Sequence, residues 1–212
     1  MLAKQFQQAL NECPIVAIIR GVEPKEVEAV ANALLDAGVR IIEVPLNSPS
    51  PLASIEKLAK IVEGRGICGA GTVTTASAVT DVHNAGGQLI VSPNADASVI
   101  EATLQAKMIS LPGCITPSDC YVAINAGASY LKMFPIGDLG PTYYRSVMAI
   151  IPKHITTLTV GGMHEGNLAD YWQLGSRGFG VASNIYAPGD SAATVTTKAR
   201  ILVDATKQLP RS

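Results

Sequence analysis

Short runs of apolar and β-branched residues recur along the chain, and most are followed by a turn and a stretch with helical periodicity. Amphipathic stretches such as Pro24–Ala37, Ser50–Val62 and Ala97–Ala106 separate these runs. Such alternation predicts parallel strands joined by helices. The eight predicted strands are Ile15–Arg20, Val39–Pro45, Gly66–Gly71, Leu89–Ser92, Met108–Leu111, Tyr130–Phe134, Thr157–Val160 and Gly178–Val181.

Eight strand–helix units close most naturally into a (β/α)8 TIM barrel, preceded here by a short N-terminal helix. At 212 residues, the barrel is near the short end of the usual size range. A doubly wound parallel sheet is the alternative that the pattern leaves open. No linker, low-complexity tract or charge block interrupts the series, so residues 1–212 are predicted to form one domain.

The composition favours a small-molecule function. The net charge is −1 and no basic run occurs, which argues against binding to nucleic acid or to an anionic membrane. The N-terminus lacks the apolar core of a signal peptide, and no stretch of eighteen apolar residues follows. The chain is therefore expected to be neither exported nor membrane-spanning.

The cysteines and histidines show neither disulfide-framework nor metal-ligand spacing. This pattern predicts a reduced, cytoplasmic protein with no metal and no cofactor. The residues concerned are Cys13, Cys68, Cys114, Cys120, His83, His154 and His164.

A lysine lies near the end of the sixth predicted strand, where the chemistry of a barrel is usually found. Strand alternation places Lys132 and Phe134 on the face opposite Leu131 and Met133, so Lys132 is predicted to point into the barrel. Enclosure lowers the pKa of an ammonium group and leaves more of the neutral amine that attacks carbonyl carbons. Lys132 is therefore a Schiff-base candidate, although a lysine that reaches solvent is the structural alternative.

Glu43 is the lone charge in the apolar strand Ile41–Pro45. Carboxylates are rarely buried without a partner or a chemical task. A carboxyl group beside an amine that condenses with carbonyls is what an aldol reaction needs, because one group forms the electron sink and the other moves protons. A buried ion pair between Lys132 and Glu43 is the structural alternative.

Three further strand ends carry candidate binding groups. Arg20 closes the first strand and could bind a carboxylate through two hydrogen bonds, although a surface salt bridge explains it equally well. Thr72 offers a hydroxyl after the close-packing glycines of Gly69–Gly71, which lack the third glycine of a dinucleotide fingerprint. Backbone N–H groups at the ends of the last two strands are predicted to bind a phosphate. These strands end in Gly161, Gly162, Ala182 and Ser183.

The ordered set of these motifs resembles the 2-keto-3-deoxy-6-phosphogluconate and 6-phosphogalactonate aldolases, a family of class I enzymes on a (β/α)8 barrel. The likeness covers nearly the whole chain. Its segments are Ile15–Gly21, Ile42–Pro49, Gly69–Val73, Val91–Asn94, Leu111–Gly113, Leu131–Pro135 and Val160–Gly162.

The resemblance implies a Schiff base on Lys132 and general acid/base chemistry by Glu43. It also implies a homotrimer whose small-molecule partners are a phosphorylated keto sugar acid, pyruvate and glyceraldehyde 3-phosphate. The implied substrate-binding residues are Arg20 and Thr72 at the pyruvyl end, Pro93 and Phe134 along the pocket, and Gly161, Gly162, Ala182 and Ser183 at the phosphate.

Two departures from the phosphogluconate branch of that family favour the phosphogalactonate branch. Asn47 stands where the phosphogluconate branch carries an arginine, so carboxylate binding is expected to depend on Arg20. Val160 stands where those enzymes typically carry threonine, beside the expected position of the substrate's C4 hydroxyl.

The sequence therefore predicts cleavage of 2-keto-3-deoxy-6-phosphogalactonate to pyruvate and D-glyceraldehyde 3-phosphate. Three alternatives remain open at this point. One is the same reaction on the 6-phosphogluconate epimer, and another is a phosphosugar epimerase or isomerase on the same barrel. The third is a module that binds a phosphorylated metabolite without chemistry.

Overall fold

The computed structural model describes residues 1–210, which form nine strands and nine helices. The strands are β1 (Ile15–Ile18), β2 (Ile41–Pro45), β3 (Ile67–Gly71), β4 (Leu89–Val91), β5 (Ile109–Leu111), β6 (Gly113–Cys114), β7 (Tyr130–Met133), β8 (Thr156–Val160) and β9 (Phe179–Val181). The helices are α1 (Leu2–Glu12), α2 (Val27–Ala37), α3 (Pro51–Val62), α4 (Ala76–Asn84), α5 (Ala97–Gln105), α6 (Pro117–Asn125), α7 (Gly140–Met148), α8 (Leu168–Gln173) and α9 (Ala192–Lys207).

All eight hydrogen-bonded strand pairs are parallel, in the order β5-β4-β3-β2-β1-β9-β8-β7-β6. The two ends of this order are adjacent in the chain, because β5 and β6 are separated only by Pro112. The sheet therefore curls into a nearly closed barrel, which confirms the predicted fold class.

The strand count is nine rather than the eight that the sequence pattern predicts. The predicted fifth strand, Met108–Leu111, corresponds to β5, and the additional strand is the two-residue β6 beyond Pro112. Pro112 separates β5 from β6 because proline fixes φ and has no N–H to donate to a ladder. The carbonyl of Pro112 still accepts a hydrogen bond from the backbone N–H of Lys132, at 2.9 Å. Through this hydrogen bond, β7, which carries Lys132, stays in register with its neighbour across the interruption.

Two apolar layers hold the barrel together. The outer layer packs the helices against the outward-facing strand residues, among them Leu131 and Met133 of β7. The inner layer fills the N-terminal half of the barrel, where α1 covers the opening with Phe6 and Leu10. The ring of Phe6 lies edge-on to that of Tyr130, with centroids 4.9 Å apart. The predicted N-terminal helix therefore closes one end of the barrel.

Local sequence signals set several helix boundaries. Helix α2 ends at Gly38, whose φ of 110° is accessible to glycine at little cost. Helix α6 begins with a capping box, in which Thr116 and Asp119 each accept a backbone hydrogen bond from the other. Within residues 1–210, no helix combines the length and the apolar character that crossing a membrane requires.

Candidate active site

A cavity of about 140 Å³ opens at the C-terminal ends of the strands. The structure brings every sequence-predicted site residue to its lining. These residues are Arg20, Glu43, Thr72, Pro93, Lys132, Phe134, Val160, Gly161, Gly162, Ala182 and Ser183. Their placement around one small cavity is a structural fact, whereas their individual roles remain predictions.

Lys132 enters the cavity from β7 and is 7% exposed. Its Nζ lies 4.3 Å from the centroid of the Phe134 ring, which follows on the same face of the strand. Burial lowers the pKa of Lys132, the Arg20 guanidinium lowers it further, and the Glu43 carboxylate opposes both effects. The amine is thus biased toward the neutral, nucleophilic form.

Glu43 enters the cavity from β2 and is 2% exposed. Burial raises its pKa to about 7, although Lys132, Arg20 and the backbone N–H of Gly71 all act to lower it. Within residues 1–210, its buried Oε2 has no hydrogen-bond partner. A carboxyl group with this pKa exchanges protons readily near neutral pH.

A glycine makes room for the Glu43 carboxyl group. A β-carbon at Gly71, the last residue of β3, would overlap both carboxylate oxygens. Any larger residue at this position would therefore displace Glu43 or expand the barrel. The close approach gives a physical reason for a glycine at the end of β3.

Lys132 and Glu43 share the cavity without forming an ion pair. Within the described part of the chain, the salt bridges shorter than 4.0 Å all join other residues. The structural alternative of a closed Lys132–Glu43 pair is therefore absent from residues 1–210. Each group is left able to act on a molecule placed between them.

The mouth of the cavity is arranged by two adjacent hydrogen bonds. The Arg20 guanidinium donates to the Asn47 side-chain oxygen. The backbone N–H of Gly21 donates to the Ser48 hydroxyl over 2.9 Å. Asn47 and Ser48 follow β2, so these contacts fix the end of β1 relative to the end of β2. Arg20 is exposed and faces both solvent and the cavity.

Thr72 adopts a left-handed backbone conformation with a φ of 58°. This region is costly for a β-branched residue and is maintained only where the surroundings enforce it. The strain lies immediately after Gly71, at the point where the chain leaves β3 and lines the cavity. It places the Thr72 residue beside Glu43 in the same lining.

The ends of β8 and β9 form the opposite wall. Gly161 and Gly162 have φ values of 97° and 68°, which turn the chain sharply after β8. After β9, the backbone N–H groups of Ile185 and Tyr186 both bond to the carbonyl of Ala182. In the described part of the chain, the N–H groups of Gly162 and Ser183 have no protein acceptor. Such N–H groups are suitable donors to an anion.

Four lining residues were missed at the sequence level: Ile18, Met163, Gly180 and Asn184. Strand alternation could have identified Ile18 and Gly180, which precede Arg20 and Ala182 by two positions. Gly180 is needed because a β-carbon there would lie 2.7 Å from a methyl carbon of Val160. Met163 and Asn184 lie on loops, for which periodicity gives no signal.

A larger cleft of about 850 Å³ opens at the other end of the barrel, beside α1. Two of its arginines are paired with carboxylates: Arg40 with Glu12 at 3.3 Å and Arg65 with Asp36 at 2.7 Å. Both pairs are partly or fully exposed, and among the cleft's lining residues that the structure describes there is no buried charged group comparable with Lys132. The smaller cavity is therefore the candidate active site despite its size.

Residues 1–210 contain no cluster of three or more histidine, cysteine, aspartate or glutamate side chains arranged to hold a metal ion. All four cysteines are buried free thiols.

Comparisons with known proteins agree with this geometry. The family described as KDPG and KHG aldolase matches residues 6–193. A probable 2-dehydro-3-deoxy-6-phosphogalactonate aldolase of Rhizobium meliloti (strain 1021) is 43% identical over 188 residues, which cover 89% of each chain. The 2-dehydro-3-deoxy-6-phosphogalactonate aldolase of Escherichia coli (strain K12) is 36% identical over 198 residues, covering 93% of this chain and 97% of the relative.

A solved structure described as native KDPGal has the same fold. It superimposes with a TM-score of 0.90 at 36% identity, and the match covers 92% of this chain and 95% of that chain. The family match spans both the Lys132 and the Glu43 strands. This chain therefore belongs to the KDPG and KHG aldolase family, and its chemistry is that of an aldolase.

Proposed function

We propose that this aldolase cleaves 2-dehydro-3-deoxy-6-phosphogalactonate to pyruvate and D-glyceraldehyde 3-phosphate through a Schiff base on Lys132. The observation that carries the proposal is the shared burial of Lys132 and Glu43 in one cavity without an ion pair between them. An amine and a carboxyl group held in this way supply the electron sink and the proton carrier of an aldol cleavage.

The reaction begins when the neutral Lys132 amine attacks the C2 ketone; the adduct takes up one proton from solvent and loses water, which forms an iminium ion. Glu43, directly or through a water molecule, removes the proton of the C4 hydroxyl as the C3–C4 bond breaks. The bonding electrons pass to C3 and into an enamine, and the aldehyde departs with its phosphate. Protonation at C3 and hydrolysis of the iminium then release pyruvate and restore the amine.

The remaining lining residues bind the two ends of the substrate in this proposal. Arg20 is positioned at the cavity mouth by Asn47 and binds the carboxylate, with Thr72 beside it. Backbone N–H groups at the ends of β8 and β9 bind the phosphate. The apolar Val160 side chain favours the galactonate-derived epimer, because it offers no hydrogen bond to the C4 hydroxyl.

Borohydride trapping tests the covalent step. Reduction in the presence of pyruvate is expected to add a pyruvyl-sized mass to the peptide that contains Lys132, whereas Lys132→Met is expected to gain none. The exposed Lys153 provides a matched control, since Lys153→Met should be trapped like the wild type. Absence of an adduct at Lys132 would contradict the Schiff-base mechanism and favour a phosphosugar epimerase or isomerase.

A lactate dehydrogenase assay coupled to pyruvate release distinguishes catalysis from binding alone. The aldolase releases pyruvate continuously from the phosphorylated sugar acid. A protein that binds this compound and releases no pyruvate would instead be a binding module.

We further infer that residues 1–212 form one domain that assembles as a cytoplasmic homotrimer, as the family resemblance implies. Four exposed apolar side chains on α5, α6 and the segment after α7 support an interface: Leu104, Tyr121, Val122 and Ile150. The Tyr121 hydroxyl donates to the carbonyl of Ile150, so at least these two residues are adjacent. Sedimentation equilibrium should give three times the chain mass, and a monomer would contradict the assembly.

A further inference from the structure

Two asparagine side chains hold the carbonyl groups of the turn that follows β8. The Asn167 amide nitrogen donates to the carbonyl of Gly162 over 2.9 Å. The Asn184 amide nitrogen donates to the carbonyl of Met163, also over 2.9 Å. The Asn167 side-chain oxygen in turn accepts from the backbone N–H of His164 at 3.0 Å. Consecutive peptide groups of this turn are thus fixed by side chains from outside it.

The planarity of the peptide bond gives these contacts a consequence for the cavity. The C=O and N–H of one trans peptide group point in opposite directions. Because Asn167 binds the carbonyl of Gly162, the N–H of Met163 must point away from Asn167. Within residues 1–210, this N–H group and that of Gly162 have no protein acceptor. Both belong to residues that line the cavity.

The Asn184 contact also connects the two loops of this wall. Asn184 follows β9, whereas its acceptor Met163 follows β8. The bond therefore fixes the distance between the Gly161–Gly162 turn and the Ala182–Ser183 turn. A dianionic group bound by both turns would need this distance to be constant, because an unrestrained loop must be ordered each time a ligand binds.

We propose that Asn167 and Asn184 are positioning residues for phosphate recognition. The inference rests on the proposed function, and it assigns to the two side chains the task of directing backbone N–H groups of both loops at one phosphate. Neither asparagine needs to touch the reacting atoms. Replacing either asparagine should therefore weaken binding of the phosphate group and leave the chemistry at Lys132 intact.

The test compares the phosphorylated substrate with its unphosphorylated counterpart, 2-dehydro-3-deoxygalactonate. For Asn167→Ala and Asn184→Ala, KM for the phosphorylated substrate should rise about two- to thirteenfold, the range for loss of one hydrogen bond. The kcat should stay close to that of the wild type. The specificity constant for the unphosphorylated compound should change little, so the preference for the phosphorylated substrate should fall.

Three controls separate positioning from a general structural role. Asn184→Gln keeps the amide donor and should recover part of the preference that Asn184→Ala loses. Asn125→Ala removes an exposed asparagine at the end of α6 and should leave both substrates unaffected. Borohydride trapping with pyruvate, which has no phosphate, should proceed at the wild-type rate in Asn167→Ala and Asn184→Ala.

Two results would overturn this inference alone. One is an equal fall for both substrates, which would identify the asparagines as merely structural. The other is an unchanged preference in both alanine variants while the wild type still forms its pyruvate adduct. A wild type without any adduct at Lys132 would instead overturn the proposed function, and this inference with it.

Discussion

The two ends of the barrel interior differ in chemistry although the same strands build both. The N-terminal half is filled by aliphatic side chains such as Val16, Ile41 and Ile67, and α1 closes it with Phe6. Two residues further along the same strands, the inward positions change to Ile18, Glu43 and Gly69. The C-terminal half therefore holds the 140 Å³ cavity and, within residues 1–210, both buried charged side chains, Lys132 and Glu43.

The difference shows how stability and chemistry are divided along one set of strands. Burying Lys132 and Glu43 removes charged groups from water and destabilises the fold. The apolar layer and the α1 cover bury side chains at a gain of about 25 cal/mol per Å² of apolar surface. We therefore expect substitutions at the two ends to have opposite signatures, with activity lost at one end and stability lost at the other.

The largest effect is expected for Glu43→Gln at the charged end. The substitution keeps the size of the side chain but removes the proton carrier, so kcat should fall by roughly two to four orders of magnitude. Pyruvate should still be trapped on Lys132 by borohydride, because imine formation with pyruvate needs no C3–C4 cleavage. Near-wild-type turnover in steady-state assays would show that another group moves the proton.

The opposite signature is expected for Phe6→Ala at the apolar end. Phe6 is fully buried under the barrel and stacks edge-on with Tyr130, so its truncation should cost about 3–5 kcal/mol of unfolding free energy. The folded fraction should retain the kcat of the wild type. Urea unfolding measures the loss, and the exposed Gln5 on the same helix gives the control variant Gln5→Ala. An unchanged unfolding free energy in Phe6→Ala would show that the packing of α1 under the barrel does not stabilise the fold.

Much of this architecture could be predicted from the sequence, because strand alternation is a local property. Lys132 and Glu43 were identifiable as lone charges in apolar strands, and their inward direction followed from the apolar neighbours. The two-residue strand β6 after Pro112 was not predicted, since β5 and β6 pair with different neighbours in the closed barrel.

The contacts between loops were beyond prediction for a different reason. Asn184 bonds to Met163 across 21 positions of the chain, and nothing in either segment specifies that partner. The same holds for Arg20 and Asn47, which are separated by 27 positions. Site residues on strands can therefore be found by periodicity, whereas those that arrange the loops require the folded structure.

The charged end also predicts a pH-dependent cost to stability. The pKa of Glu43 is raised from 4.5 to about 7 by burial, so the folded state holds this proton more tightly than the unfolded chain. The wild type should then lose stability as pH rises from about 4.5 to about 7, and this contribution should be constant above pH 7. Glu43→Gln avoids the cost and should gain relative to the wild type, by at most about 3 kcal/mol at pH 8.

Thermal melts of both proteins between pH 5 and pH 8 measure this difference. The Glu101→Gln variant is the matched control, because its side chain is exposed. A Glu43→Gln advantage that is equal at pH 5 and pH 8 would contradict the raised pKa. An advantage that shrinks as pH rises would mean that folding lowers the pKa of Glu43 instead of raising it.

The smallest effect is expected at Val160, which lies at the border between the apolar layer and the charged cavity. Val160 is 5% exposed and lines the cavity just before the Gly161–Gly162 turn. Val160→Thr replaces a methyl group by a hydroxyl, which adds a hydrogen bond worth about 0.5–1.5 kcal/mol where the C4 hydroxyl can reach it. The ratio of specificity constants should shift toward the 6-phosphogluconate epimer by about two- to thirteenfold.

Val160→Ala, which has no hydroxyl, should produce no such shift. A wild type that prefers the gluconate epimer, or a Val160→Thr variant with an unchanged ratio, would contradict the assigned substrate while leaving the aldolase chemistry in place.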